Sequence, residues 1–216
     1  EIGSGLVGSE MCIRDRDTGT LQYLASTAME AGFSTRVLDM QALDLQNGRF
    51  FDPAGELVNR CFKLYPWEWM VDESPDGCLA EMEWLEPIWK LVMSNKAILA
   101  TLYELFPDSP YVLPCYLSRP RSGLFCKKPV FSREGHNVSV VDIRDWEEYV
   151  RIAETEGDYN TGAYVYQEYV EPTAYSGRYP VIGSWIIGGE AAGIGIRENR
   201  MEVTDNLSEF VPHIIG

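Results

Sequence analysis

The sequence predicts an α+β chain, with helical segments in its first half and an antiparallel sheet late in the chain. Two observations carry this reading. Ile98, Leu99, Leu102, Leu105 and Phe106 recur at helical spacing and form one apolar stripe. From Ala163 onward the chain is β-rich, and Gly188-Gly189 marks a two-residue hairpin turn. With 216 residues, 45% hydrophobic and 12% aromatic, one large or two small domains with a real core are within reach.

Taken in order, Thr18–Ala31 reads as a helix with Leu21, Leu24, Ala25 and Ala28 on one face and Gly32 as its stop. Ser34–Met40 reads as a strand, so that helix and strand together suggest part of an α/β layer. Phe50-Phe51 and Leu57-Val58 flank the turn sequence DPAG and predict a hairpin. Arg60–Tyr65 is a further short strand, and Asp72–Gly77 a loop. Leu79–Met93 is rich in helix formers, with Pro87 starting, kinking or ending a helix. Ser94 is expected to cap the next helix, which runs to Phe106. Val112-Leu113, Leu124–Lys128 and Val138–Val141 read as strands. Arg144–Glu154 reads as a charged helix, and Ala163–Val170, Tyr179–Ile187 and Ala191–Arg197 complete the strands.

Composition narrows the function. A net charge of −15 opposes a nucleic-acid role, because a phosphate backbone would be repelled. No apolar run approaches the roughly 20 residues that span a bilayer. The five cysteines form no CxxC pair, and with His136 and His213 as the two histidines no zinc cluster is expected. Unpatterned thiols point to a reducing compartment, by default the cytoplasm.

The segment Leu6–Arg16, LVGSEMCIRDR, resembles the in-frame translation of a transposase-type sequencing adapter. Residues 1–16 are therefore expected to be an artefactual leader, and the natural protein to extend upstream of Asp17.

The chemistry concentrates in FCKKPVFSREGHN, residues 125–137. Alternation along a strand sends Lys127 and Lys128 to opposite faces, so one of them points inward, where an anion would offset its burial; both at the surface is the plain alternative. Ser132–Asn137 has the small residues of a loop that closes over phosphates, without the Gly-Lys-Ser/Thr of a Walker motif. Arg133 offers a planar fork to a phosphate oxygen. Gln167–Val170 ends a strand in the manner of an adenine-binding hinge, or is an ordinary amphipathic strand. Gly193 and Gly195 inside a strand imply close approach of another group. Arg197 either stabilises a phosphoryl group in transfer or makes a surface salt bridge. Trp67-Glu68-Trp69 is either a substrate wall or core packing. Asp205, Asn206 and Glu209 form an oxygen-rich site for magnesium or an amine, or a solvated charge run.

Together FKLYPWEWM, EPIWK…SNKAIL, CKKPVFSREGHNV, YVYQEYV, GRYPVIGSWIIGG, AGIGIRE and FVPHII resemble the glutathionylspermidine synthase family, in its stand-alone ligase-like members. The resemblance covers the chain after Asp17. It implies the C-terminal portion of an ATP-grasp fold at residues 71–216, preceded by a partial pre-ATP-grasp α/β segment at 17–70. It also implies an ATP-dependent carboxylate–amine ligase working through an acyl phosphate, with ATP and Mg2+. By position, Lys96 and Lys128 would contact phosphates and Glu134-Gly135 would form the flap. Gln167, Glu168, Tyr169 and Val170 would hold adenine, with Val181, Glu202, Val203 and Thr204 lining its pocket. Arg197 would steady the transition state, and Glu68, Trp69 and Glu209 would face the peptide-like acid and the amine.

Three departures stand out. The family's metal ligands lie upstream of this region, so none is expected here, and the same holds for its carboxylate-activating arginine. Trp69 stands where the characterised synthases carry a small polar residue, so glutathione and spermidine specificity does not carry over to this chain by position. The fragment itself is expected to bind nucleotide weakly and turn over nothing. A non-catalytic nucleotide-binding protein, or a peptide- or polyamine-binding module, is the alternative.

Overall fold

Helix α1 (Glu10–Glu30) begins before the expected Thr18 and ends where glycine allows. Gly32 adopts φ 89°; its N–H donates to Met29 O at 2.9 Å, and Phe33 N–H donates to Ala28 O at 3.0 Å. These are the two bonds of a Schellman ending, which needs a left-handed residue at that position. This is a computed structural model describing residues 10–145, 148–159, 162–203 and 208–214, with side chains from residue 18. The chain divides into two units, Glu1–Val92 and Met93–Gly216, and the boundary read from the sequence at residue 70 falls inside the first.

In the first unit the strand expected at Ser34–Met40 is absent. Asp39 instead accepts from Gln41 N at 2.9 Å and caps a 3-10 turn at Met40–Ala42. Val37 is exposed, and no strand among the described residues offers the segment a ladder. Strands β1 (Asp44–Gln46), β2 (Arg49–Phe51) and β3 (Leu57–Val58) form an antiparallel meander. The DPAG hairpin is present: Asp52 Oδ1 accepts from Ala54 N and Glu56 N at 2.9 and 2.8 Å. The buried carboxylate also pairs with Arg36 at 2.6 Å.

Strand β4 (Arg60–Phe62) pairs in parallel with β5 (Glu83–Leu85). Between them, α2 (Trp67–Glu73) and α3 (Pro75–Cys78) replace the expected loop at Asp72–Gly77. Pro75 sits in the first turn of α3, where its missing N–H has no helical acceptor to lose. The helical reading of Leu79–Met93 gives way to β5, because pairing with β4 buries Trp84. Pro87 then opens a 3-10 turn leading to α4 (Leu91–Ser94). Phe50, Tyr65, Trp67, Met70 and Trp84 form the core, with Trp84 edge-on to Phe50 at 5.7 Å and to Trp67 at 5.3 Å.

In the second unit α5 (Ala97–Leu105) follows Asn95, whose Oδ1 accepts from Ala97 N at 2.9 Å. Ser94, the expected cap, closes α4 instead. Strands β6 (Cys115–Tyr116), β7 (Gly123–Pro129), β8 (Ser139–Ile143), β9 (Tyr149–Glu154) and β10 (Tyr164–Glu168) form an antiparallel sheet in the order β6-β10-β7-β8-β9. Val112-Leu113 lies in a turn, and the short strand comes after it, at Cys115. The helix expected at Arg144–Glu154 is a hairpin arm: Tyr149, Val150 and Ile152 suit a pleated strand, and β9 pairs along β8. Trp146 and Glu147 lie outside the described residues.

A second antiparallel sheet joins β11 (Tyr179–Ile187), β12 (Glu190–Asn199) and β13 (Glu209–Val211). Gly188 and Gly189, at φ 61° and 86°, make the predicted two-residue turn. Gly193 does not accommodate a close neighbour. Its φ of 157° accompanies a register shift opposite Trp185 and Ile186, and nothing lies within 4 Å of where a Cβ would stand. Ile182, Trp185, Ile186 and Ile187 of β11 are all exposed. Because they alternate, they display apolar groups on both faces of the hairpin.

Candidate functional site

Strand alternation places Cys126 and Lys128 on one face of the five-stranded sheet and Lys127 on the other. Lys128 Nζ donates to Gln167 Oε1 of β10 at 2.7 Å. Lys127 Nζ lies 4.0 Å from the centre of the Tyr164 ring. The face of Lys128 opens into a cleft of about 400 Å3.

Twelve residues singled out in the sequence line this cleft. They are Lys96, Lys128, Ser132, Arg133, Glu134, Gly135, Gln167, Glu168, Tyr169, Val170, Glu202 and Val203. One wall is the loop after β7. Lys96 stands at the start of α5, where its N–H donates to Val130 O at 2.8 Å. Its Nζ donates to Ser132 O at 2.6 Å and lies 2.9 Å from Ser132 Oγ. Residues 133–136 form a tight turn, closed by His136 N–H donating to Arg133 O at 2.9 Å. Its two central residues, Glu134 and Gly135, have φ 55° and 75°, and Asn137 has φ 54°. A left-handed non-glycine residue costs about 1–2 kcal/mol, and less for asparagine, so Glu134 above all needs support from its surroundings.

The opposite wall is the end of β10. Glu168 N–H donates to Pro114 O at 2.7 Å and Tyr169 N–H to Leu124 O at 3.0 Å. The Val170 N–H meets no acceptor among the described residues. The Tyr169 hydroxyl donates to Glu202 at 2.6 Å, tying the hinge to the segment after β12. Burial, together with that carboxylate, raises the Tyr169 pKa well above the ordinary tyrosine range. The cations Lys96 and Arg133 thus gather at the glycine loop, while Glu168 and Glu202 stand at the hinge.

The sequence reading missed Leu113, Cys126, Val138, Val140 and Pro172, which also line the cleft. Cys126 and Val140 were accessible in principle. Cys126 lies two residues from Lys128, and Val140 faces Cys126 across the β7–β8 ladder. Leu113 and Pro172 come from irregular segments and left no periodic signal. Burial pushes the Cys126 thiol pKa up, and Lys128 partly offsets this.

The remaining candidates stand elsewhere. Val181 and Arg197 face each other across β11–β12, and the Arg197 guanidinium lies 5.8 Å from the Phe210 ring centre. Neither lines the cleft. Glu209 is paired with Arg178 at 3.0 Å. Thr204, with Asp205 and Asn206, lies outside the described residues. Glu68 and Trp69 belong to the first unit, where Trp69 is edge-on to Tyr65 at 5.7 Å and packs against the core. Trp67 is buried there, and its Nε1 donates to Glu86 O at 3.3 Å. Among the described residues no group of three or more His, Cys, Asp or Glu side chains is placed to hold a metal ion.

Residues 4–216 match the family described as glutathionylspermidine synthase pre-ATP-grasp. The chain belongs to this family. Among the relatives of this chain, a putative acid–amine ligase of Haemophilus influenzae is 35% identical over 206 residues, covering 91% of this chain and 52% of its own length. The trypanothione synthetase of Crithidia fasciculata is 35% identical over 130 residues, 59% of this chain and 19% of its own length. The bifunctional glutathionylspermidine synthetase/amidase of Escherichia coli is 26% identical over 226 residues, 90% of this chain and 36% of its own length. The chain therefore spans about half the length of the first of these curated relatives, and less of the others. No helix among the described residues is long and apolar enough to cross a membrane.

Proposed function

We propose that the cleft binds ATP, and that the longer protein is an ATP-dependent carboxylate–amine ligase working through an acyl phosphate. The observation that carries this reading is the convergence, in one cleft, of two lysines from separate elements, a left-handed glycine loop and an open strand end. Lys96, Lys128 and Arg133 offset phosphate charge beside the Glu134-Gly135 turn, where backbone N–H groups approach the oxygens. The Val170 N–H and a backbone carbonyl of the 167–170 hinge read the adenine edge, with Val203 and the Tyr169–Glu202 pair beside it. Relatives named as acid–amine ligase, trypanothione synthetase and glutathionylspermidine synthetase support the chemistry.

In this reading the second unit is the C-terminal part of an ATP-grasp fold, within the residues 71–216 read from the sequence, and residues 17–70 are a pre-ATP-grasp segment. Arg197 steadies the transferred phosphoryl group, and Val181 and Thr204 complete the adenine pocket. Glu68, Trp69 and Glu209 are assigned to the peptide-like acid and the amine. For Glu209, amine binding means exchanging its Arg178 partner. Mg2+ accompanies ATP in such reactions, but the described residues present no three-ligand set for it, and no step is assigned to the ion. The four cysteines among the described residues are thiols, in line with a reducing compartment, the cytoplasm.

Calorimetric titration with ATP tests the cleft directly in this chain. Binding that Lys96→Met and Lys128→Met each weaken is expected; a folded chain that ignores ATP would sink the proposal. Phosphate release by the longer protein, requiring both a carboxylate and an amine, tests the ligase. ATP binding without release for any acid–amine pair would leave a non-catalytic nucleotide-binding protein.

A further inference from the structure

The loop that forms one wall of the cleft is held from outside by a strap, the segment Thr155–Tyr159, which follows β9. Asn137 bridges the two: its Nδ2 donates to Gly157 O at 2.8 Å, and its Oδ1 accepts from Tyr159 N at 2.7 Å. Thr155 does the same from the other side. Its Oγ1 donates to Gly135 O and accepts from Val138 N at 2.9 Å, while its N–H donates to Val138 O at 2.9 Å. Between these anchors the packing leaves no slack. A Cβ on Gly157 would stand 2.4 Å from His136 Cβ and 2.8 Å from Asn137 Oδ1. The His136 ring meets Tyr159 edge-on at 5.9 Å.

The loop contains two left-handed non-glycine residues, Glu134 and Asn137. Its own closing bond, between His136 N–H and Arg133 O, spans only the turn. The bonds that fix where Gly135 and Asn137 point come from the strap. The strap residues do not line the cleft, so any influence they have on a ligand acts through the loop.

We propose that Asn137, Thr155 and Gly157 are positioning residues that hold the 132–137 loop in its cleft-facing conformation and so set the preference of the cleft for phosphorylated ligands. This rests on the nucleotide reading of the cleft. A phosphate needs the loop amides already aimed at it, since ordering a mobile loop on binding subtracts from affinity. A nucleoside without phosphates, held at the hinge, does not meet the loop.

Titration of the 216-residue chain with ATP and with adenosine separates these roles. The wild-type chain is expected to bind ATP more tightly than adenosine. Asn137→Ala and Gly157→Ala should each weaken ATP at least tenfold and leave adenosine within twofold. Thr155→Ser, which keeps both bonds, should retain ATP affinity, whereas Thr155→Val should lose it. An unchanged ATP-to-adenosine ratio in Asn137→Ala, or parallel loss of both ligands, overturns the proposal and leaves the nucleotide reading standing. A wild-type chain that binds neither ligand overturns the nucleotide reading instead. Amide hydrogen exchange then still decides the strap: faster exchange confined to residues 133–138 in Asn137→Ala supports it, and unchanged exchange overturns it.

Discussion

Lys128 and Gln167 meet across 2.7 Å although they are not ladder partners. The register pairs Lys128 with Val165 and Gln167 with Cys126, so the bond is a diagonal one on a single sheet face, within reach of long side chains. It holds the ammonium over the cleft floor, where a phosphate can share it. Hydrogen bonds to charged groups contribute about 1.5–3 kcal/mol. Lys128→Met should therefore weaken ATP by about 10- to 100-fold in a calorimetric titration, and Gln167→Leu by less. Equal ATP affinity in Lys128→Met would remove Lys128 from the site.

Cys126 gives an independent reading of occupancy. Its thiol lines the cleft and is kept protonated by burial. Alkylation by iodoacetamide should be slow at neutral pH and accelerate above pH 9, because the thiolate is the nucleophile. Saturating ATP should slow the Cys126 adduct at least fivefold in peptide mass spectrometry, with Cys61 and Cys78 as internal controls. Protection equal at all three thiols would argue for general stabilisation, not for a ligand in the cleft.

The first unit carries its own pH signature. Lys63 Nζ donates to Tyr65 O at 2.8 Å and lies 3.7 Å from the centre of the Trp67 ring. Burial lowers its pKa from 10.5 to about 8, with Cys61 and Glu68 among the groups opposing the shift. Between these values the unfolded chain holds a proton that the folded chain has released, so this residue's contribution to stability rises with pH from about 8. The Cys61 and Cys78 thiols, raised from 9.0, act in the opposite sense above that pH. Urea midpoints should therefore increase from pH 7.5 to 9 relative to Lys63→Met, and identical pH profiles would refute the assignment.

Two tryptophans that look alike in the core differ in their indole N–H. Trp67 Nε1 has Glu86 O as its acceptor, whereas the buried Trp84 Nε1 has no partner among the described residues. A buried donor left unsatisfied costs about 1–3 kcal/mol. Trp84→Phe should consequently be less destabilising than Trp67→Phe by about 1–3 kcal/mol in chemical denaturation. The reverse order would mean that packing volume, not the N–H, dominates at residue 84.

The late hairpin and the lysine-bearing strand were legible because their signals are local. Gly188-Gly189 dictates its own turn, and the lysine pair at 127–128 divides between faces by alternation alone. The errors share a different cause. Ser34–Met40, Glu83–Leu85 and Tyr149–Glu154 have compositions that permit more than one conformation, and in each the deciding factor was whether a partner strand lay alongside. The cleft was legible for the same reason as the turns: Lys128, Gly135 and Gln167 sit in short segments of strong local character. Pro172 and Leu113 were not, since only tertiary proximity brings them there. Asn137 and Gly157 belong together through bonds between residues twenty apart, which no periodicity in the sequence encodes.

The β11–β12 hairpin has a practical corollary. A ribbon that shows isoleucine and tryptophan on both of its sides offers an incoming molecule greasy surface whichever way it approaches, and flat apolar strands are prone to self-association. Titrations of this chain should therefore be repeated at several protein concentrations. An affinity that drifts with dilution would be reporting clustering of ribbons and not occupancy of the cleft.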